Sequence, residues 1–288
     1  MAETDDGDGS LVALVGATGG AGTTRTGVEL ATTLARDGRS VVVVDAAFAT
    51  QGLSEYVSGR IAPDVTALVT DDPNEPVPSA TIELADAGSP LDDEAQHSFG
   101  SVELLPAYAP FERLARAKTP AAAERFEGLL ADAADAFDHA IVDVPPVASN
   151  QAIAAVSVAD TVVAVTPADD HGTDAFVRLR DRLADLDVPI DAAVAVGVSD
   201  EPPAVDSPSR DSPTADSSTL DLSLPETDPS PCDAPSCLED ARYGEALVKL
   251  AETTFDVTLS IEFESEGLRD RVAAAVTDRV GPNASDGS

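Results

Sequence analysis

The sequence has no tryptophan, one methionine, two cysteines and only two lysines, Lys118 and Lys249, in 288 residues. Two cysteines exclude a disulfide framework. Aromatic residues make up 4 %, so alanine, valine and leucine must fill whatever core the 43 % of hydrophobic residues build. No segment reaches the ~20 consecutive apolar residues of a membrane-spanning helix. No basic run is present either, and a chain of this charge repels nucleic-acid phosphates, so direct DNA binding is not expected. The opening residues Met1–Ser10 are acidic, unlike a secretory signal, and the expected location is cytoplasmic.

Acid, by contrast, is abundant. Fifty-three acidic residues face 17 basic ones, a formal charge of −36, and they are dispersed rather than gathered in a tail. A dispersed acid excess with arginine replacing lysine reads as adaptation to a salt-saturated cytoplasm; charge of this size bears on solubility and partners, not on fold.

From Leu11 the pattern alternates short apolar runs with helical stretches. Strands are expected at Leu11–Val15, Val41–Val44, Thr81–Leu84, Val102–Leu105, Ala140–Val144, Thr161–Val165, Ala192–Val198 and Thr258–Glu262. Helices are expected from the Gly-rich turn to about Ala35, then at Ala121–Ala136, Gln151–Val158, Asp174–Leu186, Glu239–Thr253 and Gly267–Val280. The alternation implies an α/β fold, a doubly wound, mostly parallel sheet with helices on both faces. Residues 200–237 hold 8 Pro, 8 Ser, 7 Asp and 2 Glu against the single basic Arg210, a composition that cannot bury enough surface to offset ordering, and are read as a disordered insert. The organisation is thus a tail at 1–10, a domain at 11–199, the insert at 200–237, the same domain resuming at 238–282, and a tail at 283–288.

Between the first strand and the first helix runs Gly16-Ala17-Thr18-Gly19-Gly20-Ala21-Gly22-Thr23-Thr24-Arg25. Glycines let backbone N–H groups turn toward a phosphate, and the helix N-terminus adds positive potential. With Gly22 as the last glycine, Thr24 falls at the Ser/Thr of a P-loop and Thr23 where its lysine should be. The loop resembles the deviant P-loop K-G-G-x-G-K-[ST] of MinD and ParA ATPases, matching at Gly19, Gly20, Gly22 and Thr24; that family's signature lysine falls at Thr18. Val41–Asp45 followed by Ala46-Ala47 resembles the family's strand ending in D-x-D, with Asp45 the first aspartate and Ala47 in place of the second, which is implicated in water activation. Phe137–Pro146 resembles the family's strand ending in an acid and two prolines, with Asp143 as the acid and Val147 in place of the following glycine. Val102–Pro106 matches a further strand of the family.

The resemblance, over about 11–199 and loosely 238–282, implies a P-loop NTPase-like fold. It also implies ATP and Mg²⁺ as ligands if nucleotide binding is retained. The binding residues would be Gly19, Gly20, Ala21, Gly22, Thr23 and Thr24, with Mg²⁺ held by Thr24 and, through water, Asp143. If the protein is active, Asp45 and Asp143 are the catalytic acids. A homodimer, or a heterodimer with an intact family member, is the implied assembly. Because Thr18, Thr23 and Ala47 remove two phosphate-facing cations and one acid, the expected function is that of a degenerate, haloarchaeal member acting as a pseudo-ATPase scaffold or regulator in division, partitioning or positioning. The alternative is a hydrolysing positioning ATPase working as a nucleotide-sandwich dimer.

Other features read as structural. Arg25 is expected to be a solvated helix residue, the alternative being a side chain that swings back toward the loop, and His171 an exposed loop residue. Cys232 and Cys237, spaced C-x4-C, are two ligands where a metal site usually needs four, which leaves a metal bridged across a dimer as the alternative to a structural reading. The last helix, with Leu268, Val272, Val276 and Val280 on one face, lacks the bulky apolar residues and basic face of a membrane-surface helix, so membrane binding is not expected.

Overall fold

The runs of Val, Ala, Leu and Ile that mark the expected strands form the centre of one eight-stranded sheet in a computed structural model, which describes residues 9–71, 75–84, 99–146, 148–199, 222–227, 235–238, 240–261 and 263. The strands are β1 (Ser10–Gly16), β2 (Ser40–Asp45), β3 (Ile82–Glu83), β4 (Ser101–Leu105), β5 (His139–Val144), β6 (Thr161–Pro167), β7 (Ala192–Val198) and β8 (Leu222–Pro225). Their order is β3-β4-β2-β5-β1-β6-β7-β8, and only the β3–β4 pairing is antiparallel.

Parallel strands covered on both faces read as continuous apolar runs, and the alternation of their side chains sorts two cores. Val12, Leu14, Val41 and Val43 face helices α1 (Thr23–Arg36) and α8 (Ala241–Phe255). Leu11, Ala13, Val42 and Val44 face α2 (Val65–Thr70), α4 (Phe111–Ala117), α5 (Pro120–Ala136), α6 (Asn150–Val158) and α7 (Asp170–Ala184). A short α3 (Val77–Ala80) leads into β3. Both cores are aliphatic; Phe126 and Tyr243 are the aromatic residues among the largest fully buried side chains. Among the described residues, no helix is long and apolar enough to cross a membrane.

Several expectations need correction. The stretch 200–237 is not without regular structure, because Leu222–Pro225 pairs in parallel with β7 and buries Leu222 and Leu224; a Leu-x-Leu alternation inside the Pro/Ser/Asp-rich composition supplies the strand. Residues 200–221 lie outside the described residues. No strand forms over 258–261, where Leu259 N–H is taken by Glu252 Oε1 and Ser260 N–H by Asp37 Oδ1. Helices α2 and α4, and the turn Gly52–Tyr56, were not anticipated. Helix α7 starts one turn early because Asp169 caps it, accepting from Gly172 N–H, and this puts the exposed His171 in a helical turn rather than a loop. The expected helix 267–280, the tails 1–8 and 283–288, Cys232 and Val147 lie outside the described residues.

Candidate functional site

The carboxyl ends of parallel strands are where doubly wound sheets collect their sites, and the candidate residues gather there around a cleft of about 870 Å³. Its walls include the loop Thr18–Arg25 after β1, Ala46–Thr50 after β2, Asp143–Pro146 at the end of β5, Ser149 and Gln151 at the start of α6, and Val196 and Gly197 on β7. Pro225 at the end of β8, Glu226 and Thr227 beyond it, and Tyr243 of α8 also line it.

The loop's shape follows from its glycines. Gly20 and Gly22 have φ of +76° and +84°, the left-handed region that side chains disfavour. A Cβ on Gly22 would also press on Val196 Cγ1 at 3.3 Å, whereas Gly19 and Gly20 face open space. In the register set by Gly22 and Thr24, Ala17 holds the first glycine position of the P-loop pattern, its N–H bonded to Val165 O at 2.8 Å. Gly22 begins α1 without a side-chain cap, and no acid stands in the helix's first turn, so the positive end of the helix is left to the loop. Thr23 does not imitate a lysine: its Oγ1 lies 2.7 Å from where a Cβ on Gly16 would be, folded over the end of β1.

Thr24 Oγ1 donates to Asp143 Oδ2 at 2.5 Å, tying the first turn of α1 to the end of β5. Asp143 is also the register partner of Asp45 on β2, so two carboxyls stand side by side, both buried. Burial pushes both above the usual carboxylate range; the charge of Asp143 raises Asp45 further, and the bond from Thr24 partly offsets the rise of Asp143. Asp45 does not form part of the cleft wall. It is fully buried behind Ala46 and Ala47, its Oδ1 accepting from Ala47 N–H at 2.7 Å and its Oδ2 from Ala107 N–H at 3.3 Å. In this geometry Asp45 holds the β2 and β4 turns, and Asp143 is the acid that meets the cleft. Asp143, hydrogen-bonded to the Thr24 hydroxyl at the cleft, is a hard oxygen donor of the kind a divalent cation such as Mg²⁺ takes.

Arg25 is not a solvated helix residue. It is buried, with its Nε 2.6 Å from Glu29 Oε1 one helical turn on, and its Nη2 donates to Ser236 Oγ at 2.6 Å. Glu29, also fully buried, accepts from the N–H groups of Ser236 and Cys237 at 2.7 and 3.0 Å. The i, i+4 spacing of Arg25 and Glu29 was the visible signal of this pairing. Cys237 is thereby packed on α1, its thiol raised first by burial and then by Glu29. The described residues contain no cluster of three or more His, Cys, Asp or Glu placed to hold a metal.

The wall also contains residues that sequence reasoning did not place there. Pro225, Glu226 and Thr227 reach the cleft because β8, within the stretch 200–237, returns the chain to the edge of the sheet beside β7. Lys118 reaches it because the β4–α4 crossover brings α4 against α2 and α5.

A family profile described as an AAA domain matches residues 9–187. No curated protein matches the chain. Among solved structures, the septum site-determining protein MinD of Pyrococcus horikoshii, complexed with Mg-ADP, is 18 % identical at a TM-score of 0.64, over 84 % of this chain and 94 % of that one. A ParA family ATPase from Chlorobium tepidum is 16 % identical at a TM-score of 0.63, over 84 % and 98 %. The MinC:MinD cell division protein complex of Aquifex aeolicus is 17 % identical at 0.63, over 89 % and 100 %.

Proposed function

The chain belongs to the AAA domain family, and from that premise we propose that it is a nucleotide-binding protein of the MinD/ParA positioning type that retains the ligand site and has lost the hydrolytic chemistry. The observation that carries this reading is the Thr24–Asp143 bond at the foot of a glycine-rich loop, in a cleft whose loop contains no lysine. ATP and Mg²⁺ are the ligands. Backbone N–H groups of Gly19–Thr24 receive the phosphates, and Thr24 with Asp143 holds the metal. When bound, Mg²⁺ would neutralise phosphate charge beside the Asp143 carboxyl, which otherwise repels it.

Hydrolysis demands more than binding. Fixed charges aimed at the transition state are usually the largest catalytic contribution, and phosphoryl transfer also needs a group to orient the attacking water. Thr18 and Thr23 carry no charge, and Ala47 offers a methyl group where the related motif has an acid. A chain that binds nucleotide without turning it over acts through a second protein, as a homodimer or beside an intact relative; the MinD of the MinC:MinD complex is a structural neighbour seen with a partner. Calorimetric titration of ATP at multimolar KCl tests the reading. Binding that strengthens with Mg²⁺ is expected, and absence of binding under both conditions refutes it.

A further inference from the structure

We propose that Lys118 is the phosphate-facing cation of this cleft, supplying the charge that the glycine loop lacks. The proposal rests on the nucleotide-binding reading above. The chain has only two lysines, and one of them lines the same cleft as Thr18–Thr24 and Asp143. In a protein with 53 acidic residues against 17 basic ones, a lysine in the lining of this cleft is not a surface average.

Its placement is built from several independent contacts. Lys118 ends α4, and Asn150 Nδ2 donates to its carbonyl at 2.8 Å. The preceding carbonyl, of Ala117, accepts from Nε2 of Gln151, a buried residue that itself lines the cleft. At the other end of α4, Arg113 Nη1 is 2.6 Å from Oδ1 of the buried Asp64, whose Oδ2 also accepts from Tyr108 N–H at 2.8 Å. Arg116 Nη1 adds a 2.5 Å contact to Asp71. The backbone of α4 is therefore fastened at both ends, while Lys118 itself is exposed and belongs to the cleft lining. Arg25, the other cation of the wall, is engaged by Glu29 and Ser236. A long flexible ammonium on a fixed backbone can follow a terminal phosphate as a point charge.

The test is ATP affinity by calorimetry, with Mg²⁺ and multimolar KCl, for the parent chain and for Lys118→Gln, Lys118→Arg and Lys249→Gln. Losing one charged hydrogen bond to phosphate corresponds to about a ten- to hundredfold drop in affinity. That drop is expected for Lys118→Gln, with recovery in Lys118→Arg and no change for Lys249→Gln, which lies on α8 away from the cleft. A Lys118→Gln affinity equal to the parent's overturns the assignment and leaves nucleotide binding standing. An equal loss in Lys118→Arg and Lys118→Gln overturns it as well, because shape rather than charge would then matter. Failure of the parent to bind ATP removes both this assignment and the function on which it rests.

Discussion

The two ends of the parallel strands treat their acids in different ways. Three acids at the amino ends accept from neutral donors without another acid as register partner. Asp138 Oδ2 accepts from Ser40 N–H at 2.7 Å and Ser40 Oγ at 2.8 Å, Asp160 caps Leu11 N–H at 2.9 Å, and Asp191 caps Val162 N–H at 2.8 Å. Asp138 is held below the usual carboxylate range, chiefly by the Ser40 N–H. At the carboxyl ends Asp45 and Asp143 are paired in register, buried, and raised by that burial. The first arrangement stabilises the fold as it stands. The second is costly until a cation arrives, the kind of local penalty that marks a functional site.

The largest expected effect is on the carboxyl end. Asp143→Asn keeps an acceptor for Thr24 but removes one of the two adjacent charges. Nucleotide affinity should lose its Mg²⁺-dependent part, about 10- to 100-fold by analogy with groups that act on a metal through an intervening ligand. The same variant, without ligand, should melt higher than the parent at pH 8; a lower melting temperature would mean the acid pair is not repulsive. Next is Thr23→Lys, which should tighten ATP binding by about tenfold, the worth of one charge-assisted hydrogen bond. Unchanged affinity would mean that the space over β1 occupied by the Thr23 hydroxyl cannot admit the longer side chain.

At the amino end the sign should reverse. Asp138→Ala strands Ser40 N–H and should cost about 1–2 kcal/mol in denaturant unfolding, with nucleotide affinity untouched. The pH dependence separates the ends further. His139 is lowered from its ordinary 6.5 to about 4, first by burial and then by Arg39, so between those values the unfolded chain takes a proton that the folded chain refuses. Stability from this group is therefore full above 6.5 and declines as pH falls toward 4. The raised carboxyls act oppositely: folding is favoured while they are protonated, and that advantage is lost as pH rises past their raised folded-state values. His139→Asn should consequently gain more stability on acidification from pH 6.5 than the parent does. Parallel pH profiles would show that His139 does not titrate differently in the two states.

Much of the fold was legible because its central strands are short valine-rich runs ending in turn signals. Val41–Val44 and Ala140–Val144 each fall within one residue or two of the strand observed. Strand β8 was hidden because four residues of Leu-x-Leu carry little weight inside a Pro- and Ser-rich stretch, and their partner β7 lies more than twenty residues earlier. The loop and Asp143 were legible from local motif spacing. Lys118 was not, since its place in the cleft lining depends on a crossover through α4 that no local pattern announces; its rarity in the composition was the available hint. Asp45 was legible as a strand-end acid, but its complete burial behind Ala46 and Ala47 emerges only from the packing of β2 against β4 and β5.

Steady-state ATP turnover by the unmodified chain, at multimolar KCl with Mg²⁺, tests the central claim most directly. Thr18, Thr23 and Ala47 leave the transition state short of charge and of a water-orienting acid even if Lys118 holds the phosphates. The account predicts turnover indistinguishable from background while ATP binding is measurable. Robust turnover that is abolished by Asp143→Ala would contradict it.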